Sequence, residues 1–485
     1  MEFPIAIVGA GFAGIGAAVQ LERRGIRSFT IFERASEIGG TWRDNTYPGA
    51  ACDVPSHVYS FSFEPNPGWS RMFAESGEIQ AYLLRVVEKW GLRARLRLDT
   101  EIVEARFDES AGRWTLTTAG GEQFSARAVI SGVGGLVDPR WPDIKGLESF
   151  AGERMHTARW DHDYELAGKC VGVIGTGASA VQVVPAIARE VAKLTVFQRT
   201  PAWVMPKRDR VYSSARKAFY ARHPAALRAS RLAKYWLSEA FGPMVFLDAP
   251  RLSAIAELGS RKHLERSVRD PALRAKLTPD FQFGCKRVLI SDDYWSSFER
   301  ENVELVTEPI EQIRREGIET RDGRLHELDA IVFATGFALN IASAPFAVIG
   351  RGGRTLDEAW RDGAVAYKGL AVSGFPNWFT LMGPNTGPGH TSVLVYTEAQ
   401  ITHALQAIQR LRDDHLRFVD VRQAVQDRYN AGLQRRMKRM VWSSGCHSWY
   451  LSPDGSNHAL FPGFAAEYVA RARRFRPADY EIARF

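Results

Sequence analysis

The chain has 485 residues, 45% hydrophobic and 24% charged. Those proportions suit a globular protein with two or three cores and exclude disordered, collagen-like and coiled-coil classes. Lys and Arg number 63 against 55 Asp and Glu, a net +8, yet residues 201–235 alone hold nine basic residues and one acid, Asp209. The rest is charge-balanced, so no nucleic-acid surface is indicated and only a local basic segment needs explaining. Cys52, Cys170, Cys285 and Cys446 are scattered without CxxC spacing. No disulfide framework, zinc ribbon or redox dithiol is predicted, and reduced thiols in a cytoplasmic protein are the expectation. No apolar run reaches ~18 residues, so no transmembrane helix is predicted.

Residues 4–21 are apolar, but they lack a basic start and carry glycines at meaningful spacing, so they read as a strand and helix rather than a secretory leader. Residues 5–14, IAIVGAGFAG, are matched by residues 171–180, VGVIGTGASA, and the correspondence continues without a gap through the next helix and strand. Each copy is a βαβ dinucleotide unit. Gly9 and Gly175 make the tight turn. Gly11 and Gly177 admit a pyrophosphate to the amides at the helix N-terminus, and Gly14 and Ala180 let helix and strand pack closely. Ser179 and Gln182, in the second copy, are counted among the cofactor-binding residues.

Glu33 and Arg199 end the two second strands at equal distance from Gly11 and Gly177. A carboxylate there accepts from a ribose diol, whereas a guanidinium suits a 2′-phosphate. The first unit therefore predicts FAD and the second NADPH, with Thr200 and Lys207 as further phosphate contacts. Between the units, Pro139, Pro142 and Gly146 mark a linker. Residues 128–134, AVISGVG, and 330–336, AIVFATG, form a second duplicated pair. Each follows alternating segments, at 114–118 and from 303–307 onward, that predict a small β-meander. Gly132, Gly134, Gly135 and Gly336 mark a hinge where the chain crosses between domains.

The predicted fold is α/β, with two Rossmann-like dinucleotide-binding domains, one for FAD and one for NADPH. Residues 1–140 begin the FAD domain, and 141–335 form the NADPH domain with a helical insert at about 208–280. Residues 336–485 return to the FAD domain and build the substrate-pocket wall. Within the basic segment, Phe219, Tyr220, Tyr235 and Trp236 are interleaved, predicting helices with one buried face and one basic face. The basic face would attract an anionic cofactor; peripheral contact with anionic lipid is the lesser alternative.

The segment Phe150-Ala-Gly152-Glu-Arg-Met-His156-Thr-Ala-Arg-Trp160-Asp161 resembles the FxGxxxHxxxW(P/D) fingerprint of type I Baeyer–Villiger monooxygenases. Gly39-Gly40-Thr41-Trp42, Tyr47-Pro48-Gly49-Ala50, Cys52-Asp53, Cys285-Lys286-Arg287 and Ala334-Thr335-Gly336-Phe337 extend the resemblance along nearly the whole chain. It implies an enzyme in which NADPH reduces FAD and the reduced flavin captures O2. A flavin peroxide, stabilised by Arg287, then inserts one oxygen beside a ketone carbonyl to give an ester or lactone. Asp53 would position Arg287, and Gly40, Thr41, Trp42 and Asp53 would border FAD. Lys286 would join Arg199 at the NADPH phosphate, Asn385 would close around FAD, and Trp449 would contact the nicotinamide side. His156 would organise the interdomain segment and Trp160 would anchor packing.

Thr386-Gly387-Pro388-Gly389-His390 and Gly445-Cys446-His447 depart from the family pattern and imply an altered ketone pocket, which Phe281 and Phe283 could reach. No metal is implied. Two rivals remain: a flavin monooxygenase acting on sulfur or nitrogen nucleophiles, and a non-catalytic dinucleotide-binding protein. A two-nucleotide disulfide reductase is disfavoured by the cysteine spacing.

Overall fold

A computed structural model describes residues 3–338, 346–446, 450–452 and 455–485. The first unit is built on Ile5–Val8, buried at all four positions as a strand covered on both faces must be. It pairs in parallel with Phe29–Phe32 on one side and Ala128–Ser131 on the other. Leu96–Arg97 and the returning strand Trp378–Thr380 complete a five-stranded parallel sheet. The crossover helix Phe12–Arg23 lies so close to the first turn that a Cβ on Gly14 would sit 1.9 Å from the Gly9 carbonyl oxygen.

The second unit repeats this plan. Cys170–Ile174 is central, between Lys193–Phe197 and Ala330–Phe333, with Glu153–His156 and Val303–Val306 at the edges, all parallel. Val303–Val306 thus corrects the expectation that a meander starts near residue 303. Its four residues alternate too briefly to distinguish a parallel edge strand from a meander strand. The meander is Ile310–Arg314, Gly317–Thr320 and Leu325–Glu327. Its counterpart in the first unit is Ile102–Asp108, Arg113–Thr118 and Gln123–Ala126.

The two crossings between units run side by side. Asp138–Pro139 pairs antiparallel with Phe337–Ala338, and Arg140 N–H donates to the Gly336 carbonyl at 2.9 Å. The return segment supplies the helix Val393–Asp413, whose Ile401, Ala404, Leu405 and Leu411 join the core beneath Phe12–Arg23.

Residues 214–277 form four helices, Ser214–Arg222, Pro224–Phe246, Pro250–Ser267 and Pro271–Leu277. Three of them open on proline, whose fixed φ suits the first helical position. The expected division into an aromatic buried face and a basic outer face does not hold. Phe219 and Trp236 are 51% and 57% exposed, whereas Arg231 faces inward. Successive helical residues are rotated by about 100°, so Tyr235 and Trp236 cannot share a face. Leu227, Gly242 and Phe246 supply the buried side.

Candidate active site

Arg287 and Asp53 meet where the two dinucleotide units face each other. Arg287 Nη2 donates to Asp53 Oδ2 at 2.6 Å. The two side chains are 42% and 29% exposed, open enough for either to touch a ligand. Asp53 raises the Arg287 pKa above its ordinary value, so the guanidinium is a permanent cation. The neighbouring acids are neutral. Burial pushes the Tyr450 and Tyr47 phenols up to about 12 and raises the buried Cys52 thiol well above its usual range. Tyr450, which sequence reasoning missed, interacts electrostatically with both members of the pair. Nothing local in the sequence connects it to Arg287.

A second missed feature adjoins Arg287. Cys285 and Cys446 form a disulfide with Cα atoms 6.2 Å apart, correcting the expectation of four reduced thiols. Cys52 and Cys170 are free. The bond joins residues 161 apart in sequence, so no short spacing could announce it. It ties the C-terminal segment to the residue two before Arg287.

The first Gly-rich turn fits a dinucleotide. Gly9 adopts φ +96°, and Gly11 faces Gly40, where a Cβ would come within 3.4 Å of the Gly11 Cα. Two bare backbones therefore line this cradle, as close approach of a pyrophosphate requires. Glu33 is buried beside it. Its Oε2 accepts from Ala10 N–H at 2.8 Å, and its Oε1 from Ala35 N–H and Arg43 Nη1, both at 3.1 Å. A ribose diol would share Oε1 with Arg43, a residue the strand-end argument did not single out. Thr41 is exposed beside Gly40. Trp42 is a brace: its indole N–H donates to the Tyr59 hydroxyl at 2.9 Å.

At the second turn Gly175 adopts φ +118°, and a Cβ on Gly177 would meet nothing within 4 Å, so the turn faces open space. Arg199 is exposed at the end of Lys193–Phe197. Lys286 stands over the Phe281 ring at 4.6 Å; burial and then the Arg199 charge hold its pKa below the ordinary value. Two nearby cations fit a 2′-phosphate. Thr200 contributes its carbonyl, which accepts from Thr176 Oγ1 at 2.7 Å. Lys207 instead lies over Phe73 at 5.3 Å.

Several expected contacts serve the scaffold. Gln182 Oε1 accepts from the Tyr47 hydroxyl at 2.8 Å and Gln182 Nε2 donates to the Ala51 carbonyl at 2.9 Å, so its amide braces one unit against the other. Gly49 permits this approach, since a Cβ there would lie 2.6 Å from the Gln182 carbonyl oxygen. Ser179 opens the helix Ala180–Ile187, and its side chain makes no capping hydrogen bond. Asn385 is buried and donates to the Asn457 and Leu460 carbonyls at 2.8 and 2.9 Å, holding the C-terminal segment. Phe283 is buried against Trp203. Trp449 lies outside the described residues.

The fingerprint gathers at the crossings. Phe150 is buried in a small core with Leu328 and Phe333, and a Cβ on Gly152 would reach 2.3 Å from the Asp329 carbonyl oxygen. His156 is fully buried, its Nδ1 accepting from Ala158 N–H at 3.0 Å. Its ring lies 5.7 Å from Trp141 and 6.2 Å from Phe337, one in each crossing. Burial lowers its pKa to about 4, which makes it a neutral structural group. Trp160 packs at the edge of the second core, and Asp161 Oδ1 accepts from Asp163 N–H at 2.8 Å in a turn.

Residues 6–216 match a family model described as pyridine nucleotide-disulphide oxidoreductase. A protein named Baeyer-Villiger monooxygenase from Pseudomonas aeruginosa is 45% identical over 99% of this chain and 91% of its own length. The chain belongs to the Baeyer–Villiger monooxygenase family. Solved structures agree over the full length. The structure of oxidized steroid monooxygenase bound to NADP matches with a TM-score of 0.89 at 32% identity, covering 100% of both chains. That of OTEMO in complex with FAD and NADP matches with a TM-score of 0.88 at 28% identity, covering 99% of each. The matched family model ends before Cys285-Lys286-Arg287. The full-length likeness to Baeyer–Villiger monooxygenases includes that segment.

Proposed function

We propose that this chain, an NADPH-dependent flavin monooxygenase, inserts one oxygen atom of O2 next to a ketone carbonyl and releases an ester or lactone. The observation that carries this reading is the Arg287–Asp53 contact between the two dinucleotide units. Gly9, Gly11, Gly14, Glu33, Gly40 and Thr41 would hold FAD, and Gly175, Gly177, Arg199 and Lys286 would hold NADPH. When bound, FAD supplies hydride acceptance and activation of dioxygen.

The protein supplies charge and position. Arg287 is a cation that cannot relax away, because Asp53 fixes one edge of its guanidinium. Beside an oxygen nucleophile it lowers proton affinity and keeps the attacking oxygen anionic. Beside the ketone it stabilises negative charge on the former carbonyl oxygen as the tetrahedral centre forms. Neutral Tyr450, Tyr47 and Cys52 leave that positive charge uncompensated except by Asp53.

Oxygenation of a sulfide or amine would proceed through a protonated oxidant and would not need Arg287. Presenting cyclic, linear and aromatic ketones beside sulfides and amines tests the assignment. Esters or lactones from at least one ketone class are expected. Products from sulfides or amines alone would favour the rival reading.

A further inference from the structure

Beyond Arg228, the insert helix Pro224–Phe246 turns its charge inward and its apolar surface outward. Arg231 Nη1 donates to the carbonyls of His57, Val58 and Ser60 at 2.7, 3.1 and 2.9 Å. Lys234 Nζ donates to Ser230 Oγ at 2.6 Å, and Glu239, 3% exposed, accepts from Ala465 N–H and contacts His390. On the opposite side, every exposed residue between 229 and 241 is Ala, Leu, Trp or Phe. Leu232, Trp236, Leu237 and Phe241 are each 53–57% exposed. The helix Pro250–Ser267, packed against it, adds Ile255 at 61% and Leu258 at 53%. Single exposed apolar residues are ordinary, but a contiguous run on one helix face marks a contact surface.

The charge around this face selects its occupant. Exposed Arg222 and Arg228 precede it in sequence, and exposed Arg251 and Lys262 follow it. Asp248 and Glu265 are the exposed acids between residues 211 and 266. A second copy across a two-fold axis would press this basic rim against itself. An anionic bilayer neutralises the rim and takes up Trp, Leu and Phe at headgroup depth. Among the described residues no helix is long and apolar enough to cross a membrane, so the contact lies along the surface.

We propose that the exposed face of the helix Pro224–Phe246 docks this enzyme on anionic lipid membranes, with Leu232, Trp236, Leu237 and Phe241 inserted and the flanking arginines on the headgroups. The proposal stands apart from the ketone assignment.

The test is co-sedimentation of the FAD-loaded enzyme with vesicles of phosphatidylcholine alone or mixed with phosphatidylglycerol. Enrichment on the mixed vesicles is expected, weakened by salt and by Arg222→Gln with Arg228→Gln. Trp236→Ser with Leu237→Ser should reduce binding about tenfold or more while leaving the flavin spectrum unchanged. Equal pelleting with both vesicle types, or full binding by the Trp236/Leu237 variant, would overturn it. Sedimentation velocity reads the competing occupant. A dimer that becomes monomeric in that variant, without vesicle binding, would assign the face to a second copy and also overturn the proposal.

Discussion

Arg287 and Asp53 belong to different dinucleotide units, yet their side chains meet at 2.6 Å. The pair therefore exists only when the units are docked as they are here, which couples the geometry of the cation to interdomain assembly. At this exposure the ion pair adds little to stability, so its value lies in placing charge.

Arg287→Ala separates the two half-reactions. NADPH should still bleach the flavin under anaerobic conditions at close to the normal rate. Product formation should fall by roughly a hundredfold or more, the usual cost of removing a preorganised charge. Asp53→Asn should lower product formation less, because it loosens Arg287 without removing it. Stopped-flow absorbance beside product analysis reads both, and loss of flavin reduction in Arg287→Ala would point to a cofactor-binding role instead.

Arg199→Ala and Lys286→Ala should each raise the KM for NADPH about tenfold or more and leave NADH kinetics nearly unchanged, since only NADPH carries the 2′-phosphate. Equal losses with both cofactors would separate these cations from phosphate recognition.

Three buried histidines set a pH dependence of stability. Burial lowers His156 to about 4 and His57 and His403 to about 3. Below the unfolded value of about 6.5, the unfolded chain binds protons that the folded chain refuses, so stability falls as pH falls. At pH 5 each costs about 2 kcal/mol. Tm should decline between pH 7 and 5, and His403→Gln should flatten that slope. An unchanged slope would mean that His403 is protonated in the fold.

Thiol titration checks the disulfide. Unfolded without reductant, the protein should expose the two free thiols, Cys52 and Cys170, and reduction should release those of Cys285 and Cys446. Cys446→Ser should raise the KM for ketone more than for NADPH, because the C-terminal segment brings Tyr450 beside Arg287. Four reactive thiols before reduction would exclude the bond.

What the sequence made legible was local. The Gly-rich turns, the paired second strands and the Glu33/Arg199 contrast each depend on a few neighbouring residues, and all sit where the βαβ plan requires. The Arg287–Asp53 pair came from family resemblance, since nothing within either segment specifies the other. Arg43, Tyr450 and the Cys285–Cys446 bond were invisible because tertiary packing alone brings their partners near. The inward turn of Arg231 was missed for a related reason. A basic, aromatic helix does not encode which face will find carbonyl acceptors, and the His57–Ser60 loop supplies them.

Oxygen insertion is tested most directly by turnover of a ketone under isotopically labelled dioxygen, with mass analysis of the product. The account predicts an ester or lactone carrying one labelled oxygen from the wild type, and NADPH oxidation without that product from Arg287→Ala. A labelled ester formed equally well by Arg287→Ala would contradict the role given to Arg287. Unlabelled product, or none from any ketone while sulfides are oxygenated, would contradict the proposed reaction.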